Sequence, residues 1–462
     1  MVYSILPIVF TLSMPDFSRV GCEIDVATKI PNIEVSIVDF GAVAGDDEDD
    51  AKAIISAIES ISNTGGTVFI PSGKWILGDV VQLRDDKIRL SGARDGSTIL
   101  YCPQPLAELF GEDKKWSWSG GFVSMSPRGK PKQIGKATSF SSSGSSRIEV
   151  SWSEEPSVGD WLQIWWHNDV GKDTLLAWLY GNAIPKSKYG KEMQESTSAR
   201  VRSWFKVVGS DANTLTLDPP LPMPLKPAWN PTIMSVPKLQ HCIVENLTFD
   251  FVTSTYPGHL KERGHNAIAA SGLVECELRN ISTENADCGI ILGNCGFVTL
   301  VDIHFRGRYM HHPISLSWCS HCLVEDFIID APHQHGTTIS WSSHLNVFNR
   351  GRGNELAMDS HRACSFRNLH QDIVIVHGDN PQQPLRSGGS RPRGLHAARE
   401  NVYWNIEHKF QSAGPPFTIK YLNQWPLGIF VGWHGNRKID IQPILDGQIV
   451  TGVDFKQQTL PF

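Results

Sequence analysis

Cys242-Ile-Val-Glu-Asn-Leu247, Cys276-Glu-Leu-Arg-Asn-Ile281, Cys322-Leu-Val-Glu-Asp-Phe327 and Cys364-Ser-Phe-Arg-Asn-Leu369 are four copies of one phrase: cysteine, any residue, apolar, charged, Asn or Asp, apolar. Residues 298–303 and 401–406 carry it without the cysteine, and a looser copy ends at Asn349. With the Asn/Asp as marker the positions are 246, 280, 302, 326, 349, 368 and 405, so the steps are 34, 22, 24, 23, 19 and 37. Repetition at this period is the signature of a solenoid, in which each repeat buries its apolar face on the next. The two long steps read as coils carrying loop insertions.

The phrase alternates with a period of two, so its residues form strands, and coil upon coil of strands makes a right-handed parallel β-helix of the all-β class. The cysteines share a phase with the apolar position and read as buried small hydrophobes. Cys319 and Cys322 are a weak zinc signal, since no second pair follows. The Asn/Asp marker reads as a bend residue that stacks on its neighbour and satisfies turn backbone groups, in a buried ladder. On that reading the Asn-x-Ser/Thr patterns at Asn246 and Asn280 are poor glycosylation acceptors.

Five segments follow. Residues 1–34 are an N-terminal extension, and 35–143 hold a cap and the first coils. In that part Ala51, Ile54, Ile55, Ile58 and Ile61 fall at helical spacing before Gly65-Gly66, which predicts an amphipathic helix over the open end of the solenoid. Residues 144–236 break the repeat with Val158-Gly-Asp-Trp-Leu-Gln-Ile164 and other strand-and-turn patterns, and read as an inserted small β subdomain. Residues 237–410 are the main coils, and 411–462 a C-terminal coil or cap.

Val38-Asp-Phe-Gly-Ala-Val43, an acidic run, a helix, and then Gly65-Gly-Thr-Val-Phe-Ile-Pro-Ser-Gly73 resemble the opening of the pectate-lyase-like superfamily. That resemblance implies the β-helix fold and a role with polysaccharide. It does not choose a reaction, because the superfamily holds lyases, hydrolases, epimerases and phage tailspikes. Asp330-Ala-Pro-His333 is a further, weaker echo of the Asp-Pro-His-Glu segment of alginate epimerases.

The net charge of -6 argues against a nucleic-acid partner. The apolar run at residues 5–12 is too short to span a bilayer and lacks the flanks of a signal peptide. An extracellular or periplasmic location is expected from function alone, and oligomeric state is left open between monomer and homo-oligomer. Arginine is dense between residues 350 and 399, a patch suited to an anionic polysaccharide, although each arginine is as well explained by bridges between coils. Of the tryptophans in the insert, 152, 161, 165, 166, 178 and 204, most are expected in its core and some on sugar rings.

Aligning the strand starts Ala267-Ile268, Gly289-Ile290, Pro313-Ile314 and Gly336-Thr337 puts Asn266, Cys288, His312 and His335 in one column, and His265, Asp287, His311 and Gln334 in the column before. Stacked coils lie about 4.8 Å apart, so these side chains cluster along one groove. Asp359, His361 and Arg362 follow on the next coil, and the loop Tyr256-Pro-Gly-His-Leu-Lys-Glu-Arg-Gly-His-Asn266 enters the column from above. Clustered titratable groups of this kind mark sites.

Elimination at a uronic acid needs a cation for the carboxylate, a base for the adjacent proton and an acid for the leaving oxygen. The candidates are Arg263 and Arg362 for the carboxylate, His312 or His335 as base, and Tyr256, His265 or Lys261 as acid. Asp287 belongs to the same catalytic set, and His311, His333, Asp359 and His361 are candidate substrate contacts. The alternative is hydrolysis by a carboxyl pair from Asp287, Glu284 and Asp359. Further alternatives are a uronate epimerase and a tailspike-like binder without chemistry. Calcium is a candidate ion through Asp287, Glu284 and Asp302, but no contiguous calcium loop is present and no metal is assigned.

Overall fold

The computed structural model describes residues 14–112, 115–182, 184–195, 198–420, 422–442 and 448–450. The chain is mostly strand, arranged in two parallel sheets through which it winds repeatedly. One coil runs from Glu277–Glu284 in a sixteen-stranded sheet, through Cys288–Gly293 in an eight-stranded sheet, past a bridge at Gly296, and back to Thr299–Arg306 in the first sheet. The next coil repeats this with His312–Ser317, Ser320 and Leu323–Ile329, each segment pairing in parallel with its predecessor.

The register corrects part of the marker series. Asn246, Asn280, Asp302, Asp326, Arg350, Asp372 and Asn405 occupy one position of the long sheet, as the flanking pairs show. All seven have φ between 49° and 58°, a left-handed bend that Asn and Asp tolerate best. Thus Arg350 and Asp372 take the places expected for Asn349 and Asn368. The ladder is also not buried: Asn280 and Asp302 are exposed, and Asn280 Nδ2 donates to Asn246 Oδ1 at 2.9 Å. Burial is therefore no reason to discount the two acceptor patterns.

Asn368 belongs to an interior column instead. Register aligns Cys242, Cys276, Val298 and Cys322 with Asn346, Asn368 and Asn401. Asn346 Nδ2 donates to Asn368 Oδ1 (2.9 Å) and Asn368 Nδ2 to Asn401 Oδ1 (3.0 Å), so the buried amides satisfy one another. Cys364 lies outside this column, against the Tyr180 hydroxyl at 3.2 Å. All nine cysteines are free thiols and eight are buried, consistent with packing roles.

The helix Ala51–Ile61 covers the first coil as expected, burying Ala51, Ile54, Ala57, Ile58 and Ile61 against the core that includes Val68, Ile70 and Leu83. The acidic run before it has a local function: Asp49 Oδ1 accepts from Ala51 N at 3.0 Å, and Asp50 Oδ2 from Ile76 N at 2.9 Å. Among the described residues no helix is long and apolar enough to cross a membrane.

The inserted unit is a closed barrel of Lys132–Ala137, Arg147–Trp152, Trp161–His167, Ala199–Asp211, Thr214–Asp218 and Thr232–Ser235. Its first strand precedes residue 144, so the barrel starts earlier in the chain than the break in the repeat indicates. Trp166, Phe205 and Trp229 fill its core, which runs on through the helix Thr174–Tyr180 to Ala363, Phe366 and Ala398 of the coils. The N-terminal extension straps the long sheet: Phe17 packs with Val347, Leu369 and Val402, and Arg19 Nη1 donates to Asp218 Oδ1 at 2.7 Å. The C-terminal segment is described as far as residue 442, with Phe417–Ile419 paired to Ile439–Ile441, and at Gln448–Val450.

Close stacking of coils makes one substitution diagnostic. A Cβ at Gly92 would meet the backbone oxygen of Asn246 at 2.0 Å, and backbone of the next coil cannot rotate away. Gly92→Ala is expected to destabilise the protein by about 1–3 kcal/mol or more. A thermal midpoint equal to wild type would show that the first coils are not clamped in this way.

Candidate functional site

The groove lies on the eight-stranded sheet, where Cys288–Gly293, His312–Ser317, Thr337–Ser340 and Met358–His361 pair in sequence. At its edge His311 N donates to Asp287 O (2.7 Å) and His335 N to His311 O (2.9 Å), which brings the histidines of successive coils side by side. A cavity of about 110 Å³ is lined by His259, His311, His312, His335, His361 and Arg362, together with Trp118, Trp341 and Thr338.

The histidines are held from behind. His311 Nδ1 donates to Ser117 O at 2.7 Å, which leaves Nε2 as the acceptor of the neutral ring, and Nε2 is buried without a partner. Burial pushes His311 down to about 4 despite the nearby Glu262. His312 shares a 3.0 Å hydrogen bond between Nδ1 and Thr338 Oγ1 and stacks on His335 with ring centroids 4.5 Å apart. Burial, then the neighbouring His311 and His335, hold His312 well below its usual range, so its ring is neutral.

Asp359 is 1% exposed and lies under the cluster, its Oδ2 2.8 Å from His335 Nδ1 and 3.4 Å from His361 Nδ1. Neither approach has the alignment of a hydrogen bond, and both carboxylate oxygens lack a hydrogen-bond partner. Burial alone would raise this carboxyl, but His335 and His361 outweigh it and keep it well below the usual range.

Other expected residues lie elsewhere. His265 and Asp287 line a second cavity of about 300 Å³ with Arg263 and Arg308. Asp287 Oδ2 accepts from Gly264 N (3.0 Å) and His265 N (2.9 Å), and Oδ1 from Arg308 Nη2 (2.6 Å). Burial opposes ionisation there, but His265 and Arg308 hold the carboxyl well below its usual range, so Asp287 is a bound counter-charge. Arg263 is committed to Glu108 (3.0 Å) and Glu112 (2.6 Å). The Tyr256 hydroxyl donates to Glu262, which also accepts from Ser117, and burial followed by that carboxylate pushes the phenol far up, away from acid duty. Lys261 is exposed on the loop and does not line the histidine cavity.

His333 is a turn residue, its Nδ1 donating to Ala331 O (3.0 Å) and its Nε2 accepting from Ala357 N (3.3 Å). Asn266 and Cys288 share the His312 register but do not line the cavity, with Asn266 Nδ2 donating to Trp116 O at 2.8 Å. The calcium set does not converge: Glu284 pairs in register with Arg306, four residues along its strand from Asp302, and meets its guanidinium at 3.3 Å. Of the arginine patch, Arg350 pairs with Glu325 and Asp326 and Arg367 with Glu400, which is the bridging role, while Arg399 pairs with its chain neighbour Glu400. Arg362 alone of these four lines the cavity, over the Trp118 ring at 5.3 Å.

Two contributors were hidden from the repeat. His259 is on the loop insertion and has no column. Trp341 belongs to a stack in which Arg202 of the barrel lies between Trp165 (4.3 Å) and Trp318 (4.4 Å), Trp318 stacks on Trp341 at 5.6 Å and 11°, and Arg393 lies over Trp341 at 4.7 Å. The signal available in sequence was the pairing of Trp318 and Trp341 one coil apart.

Part of the chain, the cap and the first coils, is similar to the pectate-lyase-like families. Residues 34–117 match the family model described as Rhamnogalacturonase A/epimerase, pectate lyase-like. Similar solved structures include the tailspike gp61 of Pseudomonas phage phi297 (11% identity, 87% of this chain, 75% of that chain, TM-score 0.44). They also include a mannuronan C-5 epimerase A-module from Azotobacter vinelandii (11% identity, 91% and 100% covered, TM-score 0.43). An exopolygalacturonase from Thermotoga maritima is a third (12% identity, 91% and 95% covered, TM-score 0.37). No curated protein sequence matches the chain.

Proposed function

We propose that the chain is a right-handed parallel β-helix that binds an anionic polysaccharide in the histidine groove and cleaves it at a uronic acid by β-elimination. The observation that carries this reading is the composition of the cavity: among the described residues its polar lining is histidines, an arginine and hydroxyl groups, set among tryptophan and aliphatic side chains, with no carboxylate. Two-carboxyl hydrolysis lacks its reagents there, since Asp359 is covered by His335 and His361 and Asp287 is locked by Arg308.

In this reading Arg362 neutralises the sugar carboxylate, which lowers the barrier to removing the adjacent proton. His312, neutral and fixed by Thr338, takes that proton. His361, whose ring is 6.5 Å from that of His312, delivers a proton to the leaving oxygen in place of the acids first considered. Trp341 lines the cavity beside Arg362, and its stack with Trp318 and Arg202 ties the cavity wall to the barrel. Such a substrate is met outside the cytoplasm, in keeping with an extracellular or periplasmic protein.

The test is incubation with a panel of uronate polysaccharides while ultraviolet absorbance from unsaturated ends and total reducing ends are followed together. Growth of both in parallel is expected. Reducing ends without absorbance would replace elimination with hydrolysis, and a changed uronate composition without either would replace it with epimerisation.

A further inference from the structure

Three histidines of the groove stand in an arrangement that base catalysis does not require. The rings of His259 and His311 are inclined at 70°, those of His259 and His335 at 60°, and those of His311 and His335 at 51°, with centroids 4.9, 5.8 and 5.1 Å apart. Packing alone gives a different geometry at the same place, as His312 lies flat on His335 at 13°. One ligand atom from each of the three rings lies within 4.8 Å of the others.

Two of the three side chains are buried with nitrogens left over. His311 is 2% exposed and its Nε2 has no partner, while His335 is 7% exposed and neither nitrogen makes a hydrogen bond. A buried polar atom without a partner costs about 1–3 kcal/mol, and several aimed at one small volume need a common explanation. The far sides of the rings already carry the groups that orient metal-binding imidazoles: His311 Nδ1 donates to the Ser117 carbonyl, and His335 Nδ1 faces the Asp359 carboxylate at 2.8 Å.

We propose that His259, His311 and His335 bind one divalent transition-metal ion of the zinc class, with Asp359 and the Ser117 carbonyl as the supporting shell. The donor set is all nitrogen, which suits zinc, cobalt or nickel and not calcium or magnesium, whose ligands are oxygens. Metal–nitrogen bonds of about 2.0–2.1 Å need the three nitrogens to close to roughly 3.4 Å, a small adjustment that the exposed loop carrying His259 can absorb. Three protein ligands leave the remaining positions open, and they face the cavity that Arg362 also lines. If the uronate reading holds, the ion and Arg362 share the sugar carboxylate; that part rests on the proposed function, whereas the metal site does not.

The experiment uses the full chain, stripped with a chelator and titrated with Zn²⁺ in equilibrium dialysis and with Co²⁺ in visible absorbance, with no saccharide present. One equivalent is expected to bind, with a d–d band of a low-coordinate nitrogen site. His311→Ala and His335→Ala are expected to weaken binding by on the order of 100-fold. His259→Ala, at an exposed position that leaves folding alone, is expected to weaken it at least tenfold, and His361→Ala to leave it within threefold. Failure to bind one equivalent at micromolar metal would overturn the proposal. So would loss of binding with His361→Ala and retention with His259→Ala, which would move the ion to the neighbouring His335, Asp359 and His361 group. Because saccharide is absent, a negative result leaves the elimination reading standing, and a metal-loaded protein without lyase activity leaves the metal site standing.

Discussion

His312→Ala is expected to lower kcat/KM for β-elimination by about 10²–10⁴, the usual contribution of a positioned general base. His312 lines the cavity, is fixed through Nδ1 by Thr338, and is pressed flat against His335. The fixed ring gives it one orientation toward a bound sugar, and its neutral state leaves a nitrogen free to accept a proton. Removing the imidazole also leaves a gap beside His335, so His312→Gln is the companion variant: it keeps bulk and a polar tip without a base of suitable strength. Steady-state rates on a panel of uronate polymers, beside thermal midpoints, separate the two effects. A loss below tenfold in both variants, at unchanged stability, would remove His312 from the reaction.

The second large expectation concerns acid stability. His370 is fully buried, stacked between Phe348 at 4.7 Å and Tyr403 at 5.2 Å, with Nε2 bonded to Thr337 Oγ1 at 3.0 Å. Burial alone pushes it down to about 3. In the unfolded chain the ring titrates near its ordinary value of about 6.5. Between these values the unfolded state binds a proton that the folded state refuses, so stability is intact above about pH 6.5 and falls as pH drops toward the folded value. Each unit of separation corresponds to about 1.4 kcal/mol, so this one ring makes the fold sensitive to acid by several kcal/mol.

His370→Phe continues the aromatic stack and sacrifices one hydrogen bond, so it is expected to cost about 1 kcal/mol at pH 7. It should flatten the fall of the melting temperature between pH 6.5 and 4. His344 and His408, also buried and pushed down to about 4 and about 3, contribute in the same direction and keep some slope in the variant. An unchanged slope would mean that His370 titrates normally and is not sealed in the core.

The recurring phrase in the chain determined the solenoid by itself, because a period of about one coil combined with strand alternation admits few other ways to bury its apolar face. It also determined the neighbours of His312, since parallel pairing converts sequence register directly into spatial columns: Asn266, Cys288 and His312 do share one. The amphipathic helix Ala51–Ile61 was legible for the same reason, a local period with one apolar face.

What only tertiary structure decided was the direction and company of each side chain. Register puts Cys288 and His312 side by side, yet Cys288 is closed off against the Ser117 carbonyl at 3.3 Å whereas His312 lines the cavity. Asp287, Arg263 and Tyr256 have the right chemistry in sequence, but Arg308 on the next coil, the distant pair Glu108 and Glu112, and Glu262 of the same loop had claimed them once the chain was folded. His259 had no column to belong to, because it sits on a loop whose position is set by what it folds over. Periodicity fixes backbone order along the solenoid, whereas the site depends on long-range partners, which no local pattern encodes.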